Sequence, residues 1–336
     1  MIKCLLVVFL FRWSTALNAS QCAAERHEKE VCDYMGQHQR TYTRTELPYR
    51  KELILKQRPH VDGVRFGLTS RSDRFKHEKL RNHHLQAHKN VKRSKQLQHV
   101  HLGAPQHLPP IDWRNVNGRN YVTSVKDQGD CGGCFAFASA TVLEYWSKKG
   151  GFPKSLSEQS LMDCTSRNGD ENDGCEGGLM EYVFEYAKRH PVPLEVESPY
   201  KEAAKQCPRN SWSHVKVNNY KVLTRDEHPG AESELEWLLH AYGPISVGVD
   251  STNLDDYYGG VFKAHMCTTE IDHAVTIVGY TKDYWIIKNS WGPYWGDNGY
   301  FYLEKGKNAC GVAEYIVYIT DAEPRHEQLN TDGWRI

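Results

Sequence analysis

The ten cysteines of this 336-residue chain indicate one reactive thiol. Cys4 lies in an apolar run at the N-terminus, and Cys22 and Cys32 lie in a basic segment, which leaves seven cysteines in the rest of the chain. Because seven is odd, three disulfides would leave one thiol over. In an oxidising compartment such a thiol either bridges two chains or takes part in chemistry.

The pair Cys131-Gly-Gly-Cys134 has three interpretations. The first is one half of a zinc site, but the second C-x-x-C or H-x3-H that such a site needs does not follow in the sequence. A thioredoxin-like redox pair would follow the first strands of a βαβ unit, which the preceding residues do not suggest. The third is a nucleophile at Cys134 beside a half-cystine at Cys131. Residues 135–146 favour it, since this apolar run without Gly or Pro predicts a buried helix whose N-terminus would stabilise a thiolate.

Five ordered blocks resemble the papain-like cysteine peptidases, most closely the cathepsin L-like branch. The blocks are residues 128–137, 157–164, 174–178, 271–274 and 288–300. His273 and Asn289 follow Cys134 by 139 and 155 residues, close to the family interval of about 130–150. Gly133 and residues 258–262 are also similar to cathepsin O. The resemblance runs from about residue 108 to residue 321 and also identifies the chain as a preproenzyme.

The resemblance implies a role for each catalytic residue. Cys134 attacks the peptide carbonyl as a thiolate, and His273 holds that thiolate as an ion pair and then protonates the leaving amine. Asn289 orients the imidazole, and Trp291 covers the hydrogen bond between them. The Gln128 amide and the Cys134 N–H bind the oxyanion, each donor contributing about 3 kcal/mol.

The resemblance also implies a substrate-binding set. Its members are Gly177, Gly178, Leu179, Met180, Gly248, Ile271, Asp272, Ala274, Trp291 and Tyr315. Six of them line the pocket for the second side chain before the cut, and these six carry no charge, which predicts a hydrophobic substrate side chain. We expect Tyr315 to shorten this pocket so that Leu and Val are preferred over Phe, unless its ring points into the strand-side core instead.

Disulfide pairing is likewise implied by the resemblance and leaves Cys134 as the thiol. The pairs are Cys131 with Cys175, Cys164 with Cys207, and Cys267 with Cys310. Cys22 and Cys32 are a further candidate pair inside the basic segment.

Three residues depart from the family pattern. Phe135 stands where Trp is usual, Gly133 replaces Ser, and Glu176 replaces Asn. None of them removes a catalytic atom, so we expect effects on rate and specificity.

The elements that must position these residues change character along the chain. Helices are predicted over residues 134–148, 157–164 and 178–188. Strands are predicted over residues 244–250, 273–280, 284–288 and 299–303. Helices followed by strands indicate an α+β fold with a helical subdomain and a β-barrel-like one facing across a cleft. Cys134 and His273 come from opposite subdomains, so they can meet only in that cleft.

The remaining segments are a leader, a propeptide and a tail. Lys3, an apolar run and small residues before position 20 predict a signal peptide over residues 1–19. Residues 20–107 resemble a degenerate form of the family's inhibitory propeptide, ahead of the peptidase domain at 108–321. A disordered basic linker is the alternative for the part after Arg81. We expect residues 322–336 to be a disordered tail.

Two motifs carry the propeptide resemblance. Residues 46–54 resemble the start of the family's helical motif, although Pro48 disfavours a helix there. The second motif, Gly67-x-Thr69-x-Arg71-x-Asp73, keeps two of the four residues of the corresponding motif in the family.

Composition excludes two functional classes. Lys+Arg and Asp+Glu both total 42, and zero net charge argues against a chain built to coat nucleic acid. A mean hydropathy of -0.67 and the lack of an apolar run near 18 residues argue against insertion in a membrane. The zero net charge of the chain results from two parts of opposite charge, since residues 20–107 carry a net +9 and residues 108–336 a net -11.

The sequence therefore predicts a cysteine endopeptidase made as an autoinhibited zymogen for an acidic compartment, lysosomal or secreted. No cofactor and no metal are expected. The expected partners are peptide and protein substrates, the chain's own propeptide and cystatin-type inhibitors. The alternatives are a papain-fold binding protein with little catalysis and an exopeptidase, although no long insertion that would block one end of the cleft is visible.

Overall fold

The computed structural model describes residues 16–25, 27–43, 46–55, 61–67, 69, 71–72, 108–152, 154–166, 172–190, 192–207 and 212–328. Within these residues the helices are α1 (Ala19–Ala24), α2 (Lys29–Gln37), α3 (Leu47–Leu55), α4 (Cys134–Lys149), α5 (Glu158–Thr165), α6 (Met180–Arg189) and α7 (Ala231–Tyr242). The strands are β1 (Arg65–Phe66), β2 (Ile111–Asp112), β3 (Trp212–Thr224), β4 (Ile245–Val249), β5 (Tyr257–Gly259), β6 (Val261–Phe262), β7 (His273–Tyr280), β8 (Tyr284–Lys288), β9 (Tyr300–Glu304) and β10 (Tyr315–Gln328). A search of the same residues for a helix with the length and apolarity of a membrane span found none.

The N-terminal segment, meaning the described residues up to 72, has a small core of its own. The disulfide between Cys22 and Cys32 joins α1 to α2, and Leu17 packs into the same cluster at 1% exposure. The predicted leader overlaps this cluster at Leu17, while its residues 1–15 lie outside the described ones. The linker predicted after Arg81 also lies outside them.

Pro48 is compatible with a helix, contrary to expectation. Helix α3 begins at Leu47, so Pro48 lies in the first turn, where a backbone N–H would have no helical acceptor anyway. Thr43 and Glu46 form a capping box in front of it: each backbone N–H donates to the other side chain, at 2.9 and 3.2 Å.

Helix α4 forms the centre of the helical half. Thirteen of its 16 residues are buried, as expected for a helix that is apolar on nearly every side. Helix α5 packs beside it and is capped by the Ser157 hydroxyl, which accepts from the Ser160 N–H at 2.9 Å. The three helices predicted in this half are present, with ends that differ by one or two residues.

The strand half is one mixed sheet in the order β3-β10-β4-β7-β8-β9-β6, with β2 also pairing β7. All eight residues of β7 are buried, as expected for a central strand covered on both faces. Antiparallel pairing places His273 opposite Val249 of β4, and Lys288 opposite Thr276. The first residue of β7 and the residue after β8 therefore come to the same end of the sheet.

Two large cores confirm the predicted α+β architecture with two subdomains. One contains Cys134 and the buried faces of α4, α5 and α6. The other contains Trp291, Trp295 and the strands behind them.

The prediction of a disordered tail is wrong for the first seven of its residues. Strand β10 continues to Gln328 and pairs with β3, Ala322 opposite Val217 and Gln328 opposite Trp212. The sequence patterns also did not predict strand β3, helix α7 or the part of β10 before residue 322. Beyond residue 321, β10 pairs with β3, whereas its earlier part also pairs with β4. A local pattern does not reveal such pairing.

Candidate active site

Cys134 is the first residue of α4 and is 1% exposed. Among the described cysteines it alone carries a thiol, because the other eight form the four disulfides that were expected. Cys131 is bonded to Cys175, so in this state it is available neither to zinc nor to a redox pair with Cys134. The thiol lies at the positive end of the helix dipole, which favours a thiolate.

Close backbone packing holds the loop before Cys134. The Gly132 N–H donates to the Cys175 carbonyl at 2.7 Å. A Cβ at Gly132 would lie 2.3 Å from that carbonyl oxygen, so only glycine allows this approach.

His273 and Asn289 are joined directly. The Asn289 Oδ1 accepts from His273 Nε2 at 2.7 Å and also from the Ser290 N–H at 2.8 Å. Because an amide oxygen only accepts, Nε2 carries the proton and Nδ1 is left for the thiol. The Trp291 ring stacks on the imidazole with centroids 4.8 Å apart and planes 27° apart, which keeps water from this hydrogen bond.

Burial sets the charge of the imidazole. It lowers the pKa of His273 to about 4, against the opposing effect of the Asn289 hydrogen bond; Arg71 lowers it further and Asp255 raises it. In the full chain, burial therefore favours the neutral imidazole over the imidazolium of the ion pair expected from the sequence.

Gln128 is held by both ends of its amide. Its Nε2 donates to the Cys131 carbonyl at 2.9 Å, and its Oε1 accepts from the Ser290 hydroxyl at 2.6 Å. One amide hydrogen remains for an oxyanion, so the arrangement suits the role expected from the sequence.

Five of the ten residues of the predicted substrate set lie in the core that contains Cys134. These are Leu179, Met180, Ile271, Ala274 and Tyr315. Gly248 is close beside them, since a Cβ there would lie 2.7 Å from Ile271 Cδ1. Tyr315 is fully buried and belongs to this core rather than to the strand-side core.

The remaining members have identifiable local roles. Gly177 has φ +123°, a conformation that favours glycine. A Cβ at Gly178 would lie 2.2 Å from Asn172 Oδ1, the atom that accepts from the Leu179 N–H at 2.7 Å. The Asp272 carboxylate accepts from the Ser251 N–H and hydroxyl at 2.8 and 2.9 Å, so it braces the turn before His273.

Sequence reasoning missed a buried charged cluster behind the catalytic residues. Lys126 Nζ contacts both oxygens of Glu158 at 2.6 Å and Glu144 at 3.5 Å. Lys288 donates to Thr141 at 3.2 Å, and burial lowers its pKa to about 8. The sequence does contain a signal for this cluster, namely charged residues inside stretches that are otherwise apolar or that belong to a family motif. Lys126, Glu158 and Lys288 line one small cavity together with Asn289 and Ser290.

The end of the N-terminal segment, from β1 to Ser72, contacts the strand-side subdomain. Strand β1 pairs antiparallel with β5, with Phe66 opposite Tyr257. Beyond it, Arg71 Nε lies 3.0 Å from Asp255 Oδ1, and the guanidinium carbon lies 4.0 Å from the centroid of the Trp291 ring. The sequence had indicated Arg71 only as a departure from a motif.

Comparison with known proteins places this arrangement in a family. A sequence profile described as papain family cysteine protease matches residues 108–320. A cathepsin L-like proteinase of Fasciola hepatica is 40% identical over 212 residues, covering 60% of this chain and 62% of the relative. Cysteine proteinase 3 of Dictyostelium discoideum is 32% identical over 318 residues, covering 88% of this chain and 91% of the relative.

A solved structure extends the likeness to the N-terminal segment. Digestive procathepsin L 3 from the larval midgut of Tenebrio molitor matches with a TM-score of 0.72 and 28% identity, covering 87% of this chain and 98% of that one. The chain spans less than two thirds of the Fasciola relative. The profile match over most of the C-terminal two thirds, together with this fold, shows that the chain belongs to the papain family of cysteine proteases.

Proposed function

We propose that this protein is a cysteine endopeptidase that hydrolyses peptide bonds through a thioester. The observation that carries the proposal is the 2.7 Å hydrogen bond from His273 Nε2 to Asn289 Oδ1 under Trp291, with Cys134 at the start of α4. A cysteine, an oriented histidine and an amide that orients it are the parts of a Cys-His-Asn triad.

The chemistry follows from these atoms. Cys134 Sγ transfers its proton to His273 Nδ1 and bonds to the substrate carbonyl carbon, while the oxyanion accepts from Gln128 Nε2 and the Cys134 N–H. The C–N bond then breaks as His273 gives the proton to the leaving amine. Water, deprotonated by His273, hydrolyses the thioester and restores the thiol.

The N-terminal segment serves as an inhibitory propeptide in this proposal. Support comes from the pairing of β1 with β5 and from the contact of Arg71 with Trp291, the ring that covers the catalytic imidazole. The procathepsin likeness over 87% of this chain also supports it. Removal of the segment in an acidic lysosomal or extracellular compartment would release the enzyme, and cystatin-type inhibitors would take its place in the cleft.

The uncharged pocket supports a hydrophobic preference two residues before the cut. Met180, Ile271 and Tyr315 share one core with Cys134, and a basic side chain entering that core would lose its hydration without a partner. The fully buried Tyr315 ring supports a shortened pocket that prefers Leu and Val to Phe.

The test is cleavage of a peptide library by the full-length protein after it has been processed at pH 5. We expect internal cleavage after a hydrophobic residue in the second position before the cut. Labelling by an epoxide that alkylates active-site thiols should occur at Cys134. A processed protein that binds peptides without cutting them, or that removes only terminal residues, would contradict the endopeptidase proposal.

A further inference from the structure

Arg71 and Asp255 form an ion pair that is almost entirely out of water. Their side chains are 6% and 7% exposed, with Nε and Oδ1 3.0 Å apart. A buried carboxylate is costly unless a cation lies beside it. The position of Asp255 is therefore built for a cation, and the N-terminal segment supplies one.

The second wall of this position is aromatic. The Arg71 guanidinium carbon lies 4.0 Å from the centroid of the Trp291 ring. A planar, delocalised cation stacks on an indole face and at the same time donates to a carboxylate from its edge, which an ammonium group does less well. Carboxylate and indole together therefore favour arginine over lysine.

Both walls belong to the peptidase part of the chain. The Trp295 indole N–H donates to the carbonyls of Leu254 and Asp255, each at 3.0 Å. The Tyr257 N–H donates to the Leu254 carbonyl at 3.0 Å. These contacts do not involve the N-terminal segment, so the backbone that carries Asp255 stays anchored when the segment leaves.

The segment forms a turn where it reaches this position, with the Ser72 N–H donating to the Thr69 carbonyl at 3.1 Å, and Arg71 lies within that turn. After the β1–β5 pairing, the Gly67 N–H donates to the Asp256 carbonyl at 3.0 Å and the Thr69 hydroxyl to the Asp255 carbonyl at 2.6 Å. The Gly67 donor is a main-chain N–H, which a peptide substrate that passes along this edge also offers, whereas the Thr69 donor is a side-chain hydroxyl.

We propose that Asp255 and Trp291 form a guanidinium site, which Arg71 occupies in the full chain and which takes an arginine side chain of the peptide substrate once the N-terminal segment has gone. Trp291 stacks 4.8 Å from His273, so the bound arginine lies one ring away from the catalytic imidazole, within a few residues of the scissile bond. The site adds a second specificity element to the hydrophobic pocket, and it rests on the proposed peptidase function for its substrate.

The first test examines the site without using catalysis. In the full-length chain with Cys134→Ala, Arg71→Gln and Asp255→Asn are made singly and together, and hydrogen exchange is measured over residues 61–72 and 254–259. Each single change should speed exchange by about tenfold, and the double variant should exchange no faster than the singles. Additive effects would mean that the two side chains do not act as a pair and would overturn the site.

The second test examines the substrate. Peptides carry arginine or citrulline, which has the same shape without the charge, at one position at a time around the cut. At one position the processed wild type should prefer arginine by about tenfold in kcat/KM, and Asp255→Asn should bring that ratio to about one. Asp256→Asn is the matched control, since it removes the same charge from the neighbouring residue and should retain the wild-type ratio.

The two tests separate the possible failures. An arginine preference that Asp255→Asn leaves unchanged, or a ratio near one at every position in the wild type, would overturn the substrate assignment. A protein that cleaves none of the peptides would overturn the proposed peptidase function and the substrate assignment with it. Non-additive exchange would then still establish the guanidinium site.

Discussion

At the scale of single residues, Trp291 connects catalysis to the N-terminal segment. One face of its ring stacks on His273, and Arg71 lies against the ring as well. A side chain that shields the His273–Asn289 hydrogen bond in the enzyme is thus also a contact point for the segment that covers it. In the proposed function, the same indole serves catalysis, inhibition and the arginine site.

Replacing the nucleophile should separate activity from stability. Cys134→Ala should abolish peptide cleavage, because no other described cysteine carries a thiol. The midpoint of thermal unfolding should shift little, since the change removes a single sulfur atom and no disulfide. Turnover near the wild-type rate, measured with a fluorogenic peptide, would contradict the assignment of Cys134.

The buried imidazole should make the full-length chain less stable in acid. The pKa of His273 is lowered from 6.5 to about 4, so between these values the unfolded chain binds more protons. Stability is fully present above pH 6.5 and is lost as the pH falls towards 4, by about 3 kcal/mol from this group.

Urea unfolding of the Cys134→Ala chain at pH 7 and pH 4.5 measures this loss. A His273→Asn variant in the same background should lose correspondingly less stability between the two pH values. Equal losses in the two proteins would show that His273 is not a source of acid sensitivity.

At the scale of elements, the extension of β10 completes the sheet edge with β3. The pairs from Ala322 to Gln328 lie beyond the part that the papain profile matches. Pro324 packs so closely on the end of α4 that a Cβ at Gly150 would lie 2.1 Å from its ring. The extension therefore braces the helix that carries Cys134.

Truncation after Asp321 should destabilise the protein by about 1–3 kcal/mol, since it uncovers buried Val217 and leaves part of β3 without its neighbour. Truncation after Gln328 is the matched control and should have little effect. Both are read out by thermal unfolding in the Cys134→Ala background. Equal midpoints for the two truncations would mean that the extension carries no stability.

At the scale of the whole molecule, the two parts of the chain carry opposite net charges. Residues 20–107 carry a net +9 and residues 108–336 a net -11. Opposite net charges attract over roughly 10 Å at 0.1 M salt and over shorter distances at higher salt. Part of the attraction between residues 20–107 and the rest of the chain is therefore long-range and is weakened by salt.

Salt should accordingly speed processing. We expect release of the N-terminal segment at pH 5, followed by gel electrophoresis, to be faster at 0.5 M than at 0.05 M NaCl, provided that the processed enzyme cleaves a neutral peptide equally well at both. Processing should also be slower at pH 7 than at pH 5. A rate that salt leaves unchanged would indicate that shape alone holds the segment.

The sequence by itself determined the parts whose causes are local. The apolar run after Cys134 led to α4, and the runs of Val, Ile and Tyr led to β7 and β8. The odd cysteine count predicts one thiol whatever the pairing of the others. Each of these follows from residue type and periodicity within a short window, which is what a sequence displays directly.

Only the tertiary structure decided which distant residues meet. Arg71 and Asp255 are 184 residues apart in the chain. The sequence around Arg71 does not indicate which carboxylate will pair with it in the folded protein. The order of β3 and of the end of β10 likewise depends on each being the other's partner. The helical position of Pro48 likewise depends on the Thr43–Glu46 cap, which precedes the first turn of α3. Long-range pairing and burial are properties of the folded chain, because a side chain's environment is set by residues that its own neighbourhood does not contain.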